Sequence, residues 1–121
     1  MSKKKEALTN ALLKRLYTET VAVIHSAHED SPRTVAFVNV DKTWITKKKL
    51  EKAFMLTNSV EDAWYKSDKV EYIGPDKACR STMVGDMVRL EDGTKFKLEN
   101  TGWSEWKKSA HEWVGPYEDL L

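Results

Sequence analysis

Cys79, Arg80, Ser81 and Thr82 stand in line ahead of Gly85 and Asp86, and this is the stretch of the chain best suited to hold an anion. A guanidinium offers a two-pronged fork, two hydroxyls add donors, and a glycine lets the backbone curl around a phosphate or carboxylate. With the Asn58 amide for a base edge and the Trp64 indole for a stacking face, Arg80, Ser81 and Thr82 make a candidate site for a nucleotide or another phosphate-bearing small ligand. The plainer reading clamps Arg80 onto Asp86 or a sheet-edge carbonyl, lets Ser81 and Thr82 shape the entry to a hairpin, and buries Trp64 in the core. No Gly-x-x-x-x-Gly-Lys-Ser/Thr pattern is present, so this is not a P-loop.

Covalent chemistry finds less support. A cation beside Cys79 would lower the thiol pKa and favour a nucleophile, yet no nucleophile elbow, zinc-protease motif or paired-acid signature names a base for it. His25 and His28 are three apart, which on a strand sends the rings to opposite faces, and His111 is remote in sequence. A single cysteine excludes an intrachain disulfide and a Cys₄ or Cys₂His₂ zinc site. The expectation is therefore no catalytic residue, no metal and no cofactor.

Surfaces carry the remaining candidates. Trp103, Trp106 and Trp113, with Tyr117, form an aromatic-rich end, and such side chains anchor protein interfaces or else fold back to complete a core. Lys47, Lys48 and Lys49, together with Lys3, Lys4 and Lys5, are basic clusters that could meet nucleic acid. Against that stand 20 basic and 19 acidic residues, a net charge of +1, where a dedicated nucleic-acid binder is strongly basic.

These residues need elements to position them. The 121 residues suit one domain, and a 40% hydrophobic content with five Trp argues against disorder. Leu8, Leu12, Leu13 and Leu16 share a helical face, so residues 1–16 are expected as an N-terminal helix, 17–102 as the body and 103–121 as a Trp-rich tail. Two β-branched runs, from Thr18 and from Thr34, flank the turn residues Glu29 to Pro32 and predict an antiparallel hairpin. Thr46 is the expected N-cap of a helix bearing Leu50, Phe54, Met55 and Leu56, with a second helical turn capped by Ser59 and carrying Trp64. Val70 to Ile73 reads as a strand. Asp86–Leu90 and Thr94–Leu98 alternate around Asp92-Gly93, predicting a hairpin with Val88, Leu90, Phe96 and Leu98 on one face and Arg89, Lys95 and Lys97 on the other. The fold class expected is α+β, a small mostly antiparallel sheet with two or three helices.

Two of these stretches, taken together, resemble small uncharacterised proteins of bacteriophages and mobile elements. Ala53-Phe54-Met55-Leu56-Thr57-Asn58, followed by Trp64, resembles their A-aromatic-x-L-T-N segment, and Arg80-Ser81-Thr82-Met83-Val84-Gly85-Asp86 resembles the R-S-T-x-V-G-D motif that precedes a hairpin. The likeness covers about residues 50–100. It implies work in an infected bacterial cytoplasm on a host component. Consistent with a cytoplasmic place, no apolar run approaches the ~18 residues of a membrane span, and no signal-peptide core follows Met1 to Lys5.

The expected function is a non-enzymatic phage-type protein that inhibits or redirects a host protein by covering its surface. The alternatives are a protein sequestering a nucleotide through Arg80, Ser81, Thr82, Asn58 and Trp64, and a nucleic-acid module using Lys47–Lys49. The leucine face of residues 8–16 and any unpaired sheet edge also offer routes to a homo-oligomer.

Overall fold

The structure, a computed structural model, describes residues 16–59 and 63–119. Seven strands form one sheet: β1 (Thr18–His25), β2 (Arg33–Asp41), β3 (Val70–Tyr72), β4 (Met87–Arg89), β5 (Lys95–Glu99), β6 (Gly102–Lys107) and β7 (Glu112–Val114). Their order across the sheet is β3-β2-β1-β4-β5-β6-β7, and every neighbouring pair is antiparallel. One helix, α1 (Thr46–Leu56), crosses one face, and Trp64–Lys66 form a 3₁₀ turn.

Both expected hairpins are present. β1 and β2 pair from Thr18↔Asp41 to His25↔Arg33, with a bulge that leaves Val35 as an extra residue on β2. The bulge lets the consecutive Val35 and Ala36 both be buried. Val88 faces Phe96 and Arg89 faces Lys95 across β4 and β5, as their alternation predicts. Gly93 supplies the positive φ that the Asp-Gly turn requires.

The core lies between the sheet and α1. Val21, Val23, Val38, Val88, Phe96 and Trp103 from the strands meet Leu50 and Ala53 of the helix. Leu90 is also buried, while Phe54, Leu56 and Leu98 pack against this cluster at its margin and Met55 is exposed.

The balance of helix and sheet differs from the expectation. Among the described residues the fold is mostly sheet with one α-helix, rather than a sheet with two or three. The leucine-faced helix lies outside the described residues save for Leu16, as do Asp62 and the end of the proposed capping box. α1 stops at Thr57 because that residue turns inward. Its N–H and its hydroxyl bond back to Phe54 and Ala53 carbonyls, and its own carbonyl accepts the N–H of Thr82.

The start of α1 is also built differently. Ile45, not Thr46, occupies the N-cap position, and it gives no side-chain cap. Instead Asp119 reaches across from the tail and accepts the N–H groups of Thr46 and Lys47 at 2.9 and 3.0 Å. A carboxylate there satisfies two orphan donors and complements the positive end of the helix dipole.

Candidate functional site

The chain segment 73–86 carries the backbone from the edge strand β3 to β4, in the middle of the sheet. On its way it passes the end of α1, and there the two motifs of the resemblance meet. Asn58 donates from its amide to the Thr82 carbonyl at 2.7 Å. Ser81 accepts the Ser59 N–H and donates to the Ser59 carbonyl at 3.1 and 3.0 Å. The Trp64 indole N–H reaches the Arg80 carbonyl at 3.2 Å, and its ring is buried against Tyr65, Tyr72 and His25. The seam is a structural joint between two segments that would otherwise leave backbone groups unpaired.

Arg80 and Asp86 are its centre. Asp86 is fully buried and accepts five hydrogen bonds, from the N–H groups of Ser26, Ala27 and Met83 and from both terminal nitrogens of Arg80 at 2.7 and 2.8 Å. Burial alone would push the Asp86 carboxyl up, but the guanidinium and the three N–H groups outweigh it and hold it below the usual range. Arg80 also donates to Glu29 through Nε and Nη2, and to the Ser81 carbonyl. All five N–H groups of the guanidinium therefore have protein acceptors, and none is left to take an external phosphate. Gly85 permits the tight approach. Its φ is +99°, its carbonyl accepts the Ser26 hydroxyl, and a Cβ would lie 3.0 Å from that of Ala27.

Beside this pair runs a one-way chain of hydrogen bonds. The Thr57 hydroxyl donates to the Ala53 carbonyl, so it must accept from the Thr82 hydroxyl at 2.8 Å. Thr82 must then accept from His25 Nε2 at 3.0 Å, which places the imidazole proton on Nε2. Nδ1 is left as an acceptor, 3.6 Å from the Cys79 sulfur. Burial holds His25 below its ordinary pKa against the pull of Asp86, and burial raises Cys79. A thiol and an imidazole that are both neutral at pH 7 lack the charge separation of an activated cysteine. The dyad geometry was not legible from sequence, since 54 residues separate the two.

The Trp-rich end divides between the two faces of the sheet. Trp103 is buried in the core beside Leu98, and Tyr117 stacks edge-on against Phe96 at 5.0 Å while its N–H bonds the Trp103 carbonyl. Trp103 is therefore not available as a surface anchor, and Tyr117 is turned toward the core with only part of its ring exposed. Trp106 and Trp113 sit at paired positions on β6 and β7, on the face opposite α1, with ring centroids 5.2 Å apart. Both are half-buried. Lys97 Nζ lies 4.5 Å from the Trp113 ring and Lys95 Nζ 5.9 Å from that of Trp106. Register places Met87 and the exposed Arg89 on the same face. A groove of about 520 Å³ runs between the tryptophans and the loop of Ser26, Ala27 and Pro32.

Lys47, Lys48 and Lys49 of α1 are each engaged within the fold. Lys47 pairs with Glu118 at 2.9 Å, Lys49 with the buried Glu19 at 2.7 Å, and Lys48 sits over the Trp44 ring. Lys3 to Lys5 lie outside the described residues. His28 is exposed in the loop after β1, and His111 packs against Trp106. Among the described residues no group of three or more His, Cys, Asp or Glu is arranged to hold a metal, and no helix is long and apolar enough to cross a membrane. Comparisons with protein-family models, with curated proteins and with solved structures each find no match to the chain.

Proposed function

We propose that this chain is a non-enzymatic binding protein whose recognition surface is the outer face of β4–β7, and that it acts by covering its partner without making or breaking bonds. The observation that carries the reading is the Trp106–Trp113 pair with Lys95 and Lys97 poised over it. Trp106 and Trp113 keep part of their ring surface open on the face away from α1, whereas Trp44, Trp64 and Trp103 belong to or pack against the core, and partly open aromatic side chains are the usual anchors of a recognition surface. The saturated Arg80 seam supports the same conclusion from the other side. It is a poor place for a ligand and a good one for holding a recognition face rigid. A host bacterial component is the target that the resemblance implies, and occlusion is the action open to so small a domain.

The test is a titration of the purified chain with host nucleic-acid and acidic-protein fractions, read by tryptophan fluorescence. The W106A/W113A double variant should lose the response while melting within a few degrees of the parent. A partner that binds this double variant as tightly as the parent refutes the surface.

A further inference from the structure

We infer that the ligand of this face is single-stranded nucleic acid, with bases stacked on Trp106 and Trp113 and the phosphate backbone drawn along Lys95, Lys97 and Arg89. The inference rests on the reading of the outer face as the recognition surface and names what it recognises.

Charge on this face departs from that of the chain as a whole. On the outer face of β4–β7 the register brings together Arg89, Lys95 and Lys97 against a single carboxylate, Glu99, whose oxygen accepts the Ser104 hydroxyl at 2.9 Å. Three cations to one acid make a local basic field inside a protein of net charge +1. Lysine is depleted at the cores of protein–protein interfaces, where its ammonium must be desolvated. Here two lysines sit at the centre of the patch, each over an indole. An anionic backbone that draws the ammonium groups outward uncovers the two rings for planar partners, which meets the requirement of stacking and neutralisation together.

The geometry selects unpaired bases. Neighbouring strands lie about 4.8 Å apart, so the four-strand face is about 14 Å wide, room for roughly three nucleotides. The tryptophans are paired across β6 and β7 on a flat surface rather than carried on a projecting helix or ribbon, so they cannot enter a duplex groove. They can meet a base plane only where the base is free of its stack. The groove of about 520 Å³ beside them, walled by Ser26, Ala27 and Pro32, offers space for a base next to the rings.

The experiment is fluorescence anisotropy with a fluorescein-labelled twelve-nucleotide oligothymidylate at 50 to 200 mM salt. The parent chain should bind it and bind a duplex of equal length more weakly. W106A and W113A should each weaken affinity about five-fold or more with the fold intact by circular dichroism. K95A/K97A should reduce the slope of log affinity against log salt by about 0.7 for each lysine removed. No binding at 50 mM salt, equal binding of the duplex, or binding indifferent to both tryptophan variants overturns the inference. Polyglutamate run in parallel separates the two readings. If it binds in a Trp106-dependent way and the oligonucleotide does not, the nucleic-acid inference falls and the recognition face stands; if neither binds, both fall.

Discussion

Asp86→Asn removes a charge and almost nothing else, so it isolates the contribution of the buried seam. The wild-type carboxylate takes three N–H groups and a bidentate guanidinium with no exposure to water. An asparagine of the same shape must turn its NH₂ toward one set of donors. Placed at the Oδ2 position it faces the Met83 N–H and Arg80 Nη1; placed at Oδ1 it faces those of Ser26, Ala27 and Arg80 Nη2. Either way at least two donors lose their acceptor, one of them charged, and the surviving bonds lose their charge assistance. Each unmet buried donor costs about 1–3 kcal/mol, and breaking a buried ion pair about 3–5 kcal/mol, so a loss of about 3–5 kcal/mol is expected. Against a total stability of about 5–15 kcal/mol that is a large fraction.

Urea unfolding followed by tryptophan fluorescence reads this directly, as a lowered midpoint at unchanged slope. The pH dependence supplies a second signature. Asp86 is held below its unfolded pKa, so its stabilisation is present above about pH 4 and is lost as pH falls through the lower folded value. The gap between parent and variant should therefore be full at pH 7 and shrink toward pH 3. A loss under about 1 kcal/mol at pH 7, or a gap that persists unchanged in acid, would refute the account of the seam. Arg80→Lys keeps the charge but loses the fork that spans Asp86 and Glu29, and about 2–3 kcal/mol should go with the missing bonds.

Phe96→Ala should cost about 3–5 kcal/mol in the same urea assay, since the ring is buried and supports Tyr117. Asp119→Ala should cost about 1 kcal/mol by uncapping α1, and no measurable change in midpoint would mean that the tail does not hold the helix. Because burial keeps His25 below its ordinary pKa, the unfolded chain takes up that proton first as pH falls past about 6.5. Stability should decline from there toward pH 5, and urea midpoints flat across pH 7.5 to 5 would contradict a buried neutral imidazole. Cys79 should react with a disulfide reagent more slowly at pH 7.5 than a free thiol, with a rate still rising above pH 8.5; a fast reaction saturating below pH 7 would mean an activated thiolate.

What the sequence made legible is what depends on neighbours along the chain. Alternation at Val88, Leu90, Phe96 and Leu98 located a hairpin and its inward face, because a strand's two-residue period is a local property. Thr46 shows where that logic stops. Thr46 looked like a cap on local grounds, but the carboxylate that serves α1 comes from Asp119, 73 residues away. The short helical turn expected at Trp64 is present as the 3₁₀ turn Trp64–Lys66, but what it packs beside was not local: Thr57, Asn58 and Ser59 bond to the 80–82 segment, and the Trp64 indole to the Arg80 carbonyl. The likeness of Arg80 to an anion site and its likeness to a clamp rest on the same residue types. Only the positions of Glu29 and Asp86 around the guanidinium distinguish them.

The two tryptophan pairs carry that point further. Trp103 and Trp106 are three residues apart on one strand, so they must face opposite sides of the sheet, and an aromatic-rich end read as one feature has to divide. The division then fixes roles. Trp103 joins Leu98 and Tyr117 in filling the helix side, and Trp106 is left on a face where its partner in register is Trp113 and its neighbours across β5 are Lys95 and Lys97. As a cross-strand aromatic pair the two rings also support the β6–β7 ladder. An indole pair under two ammonium groups is the arrangement on which the proposed recognition surface rests. The motif residues that looked most like chemistry hold segments together, and the surface proposed to meet a ligand comes from a strand alternation that places aromatic and basic side chains side by side.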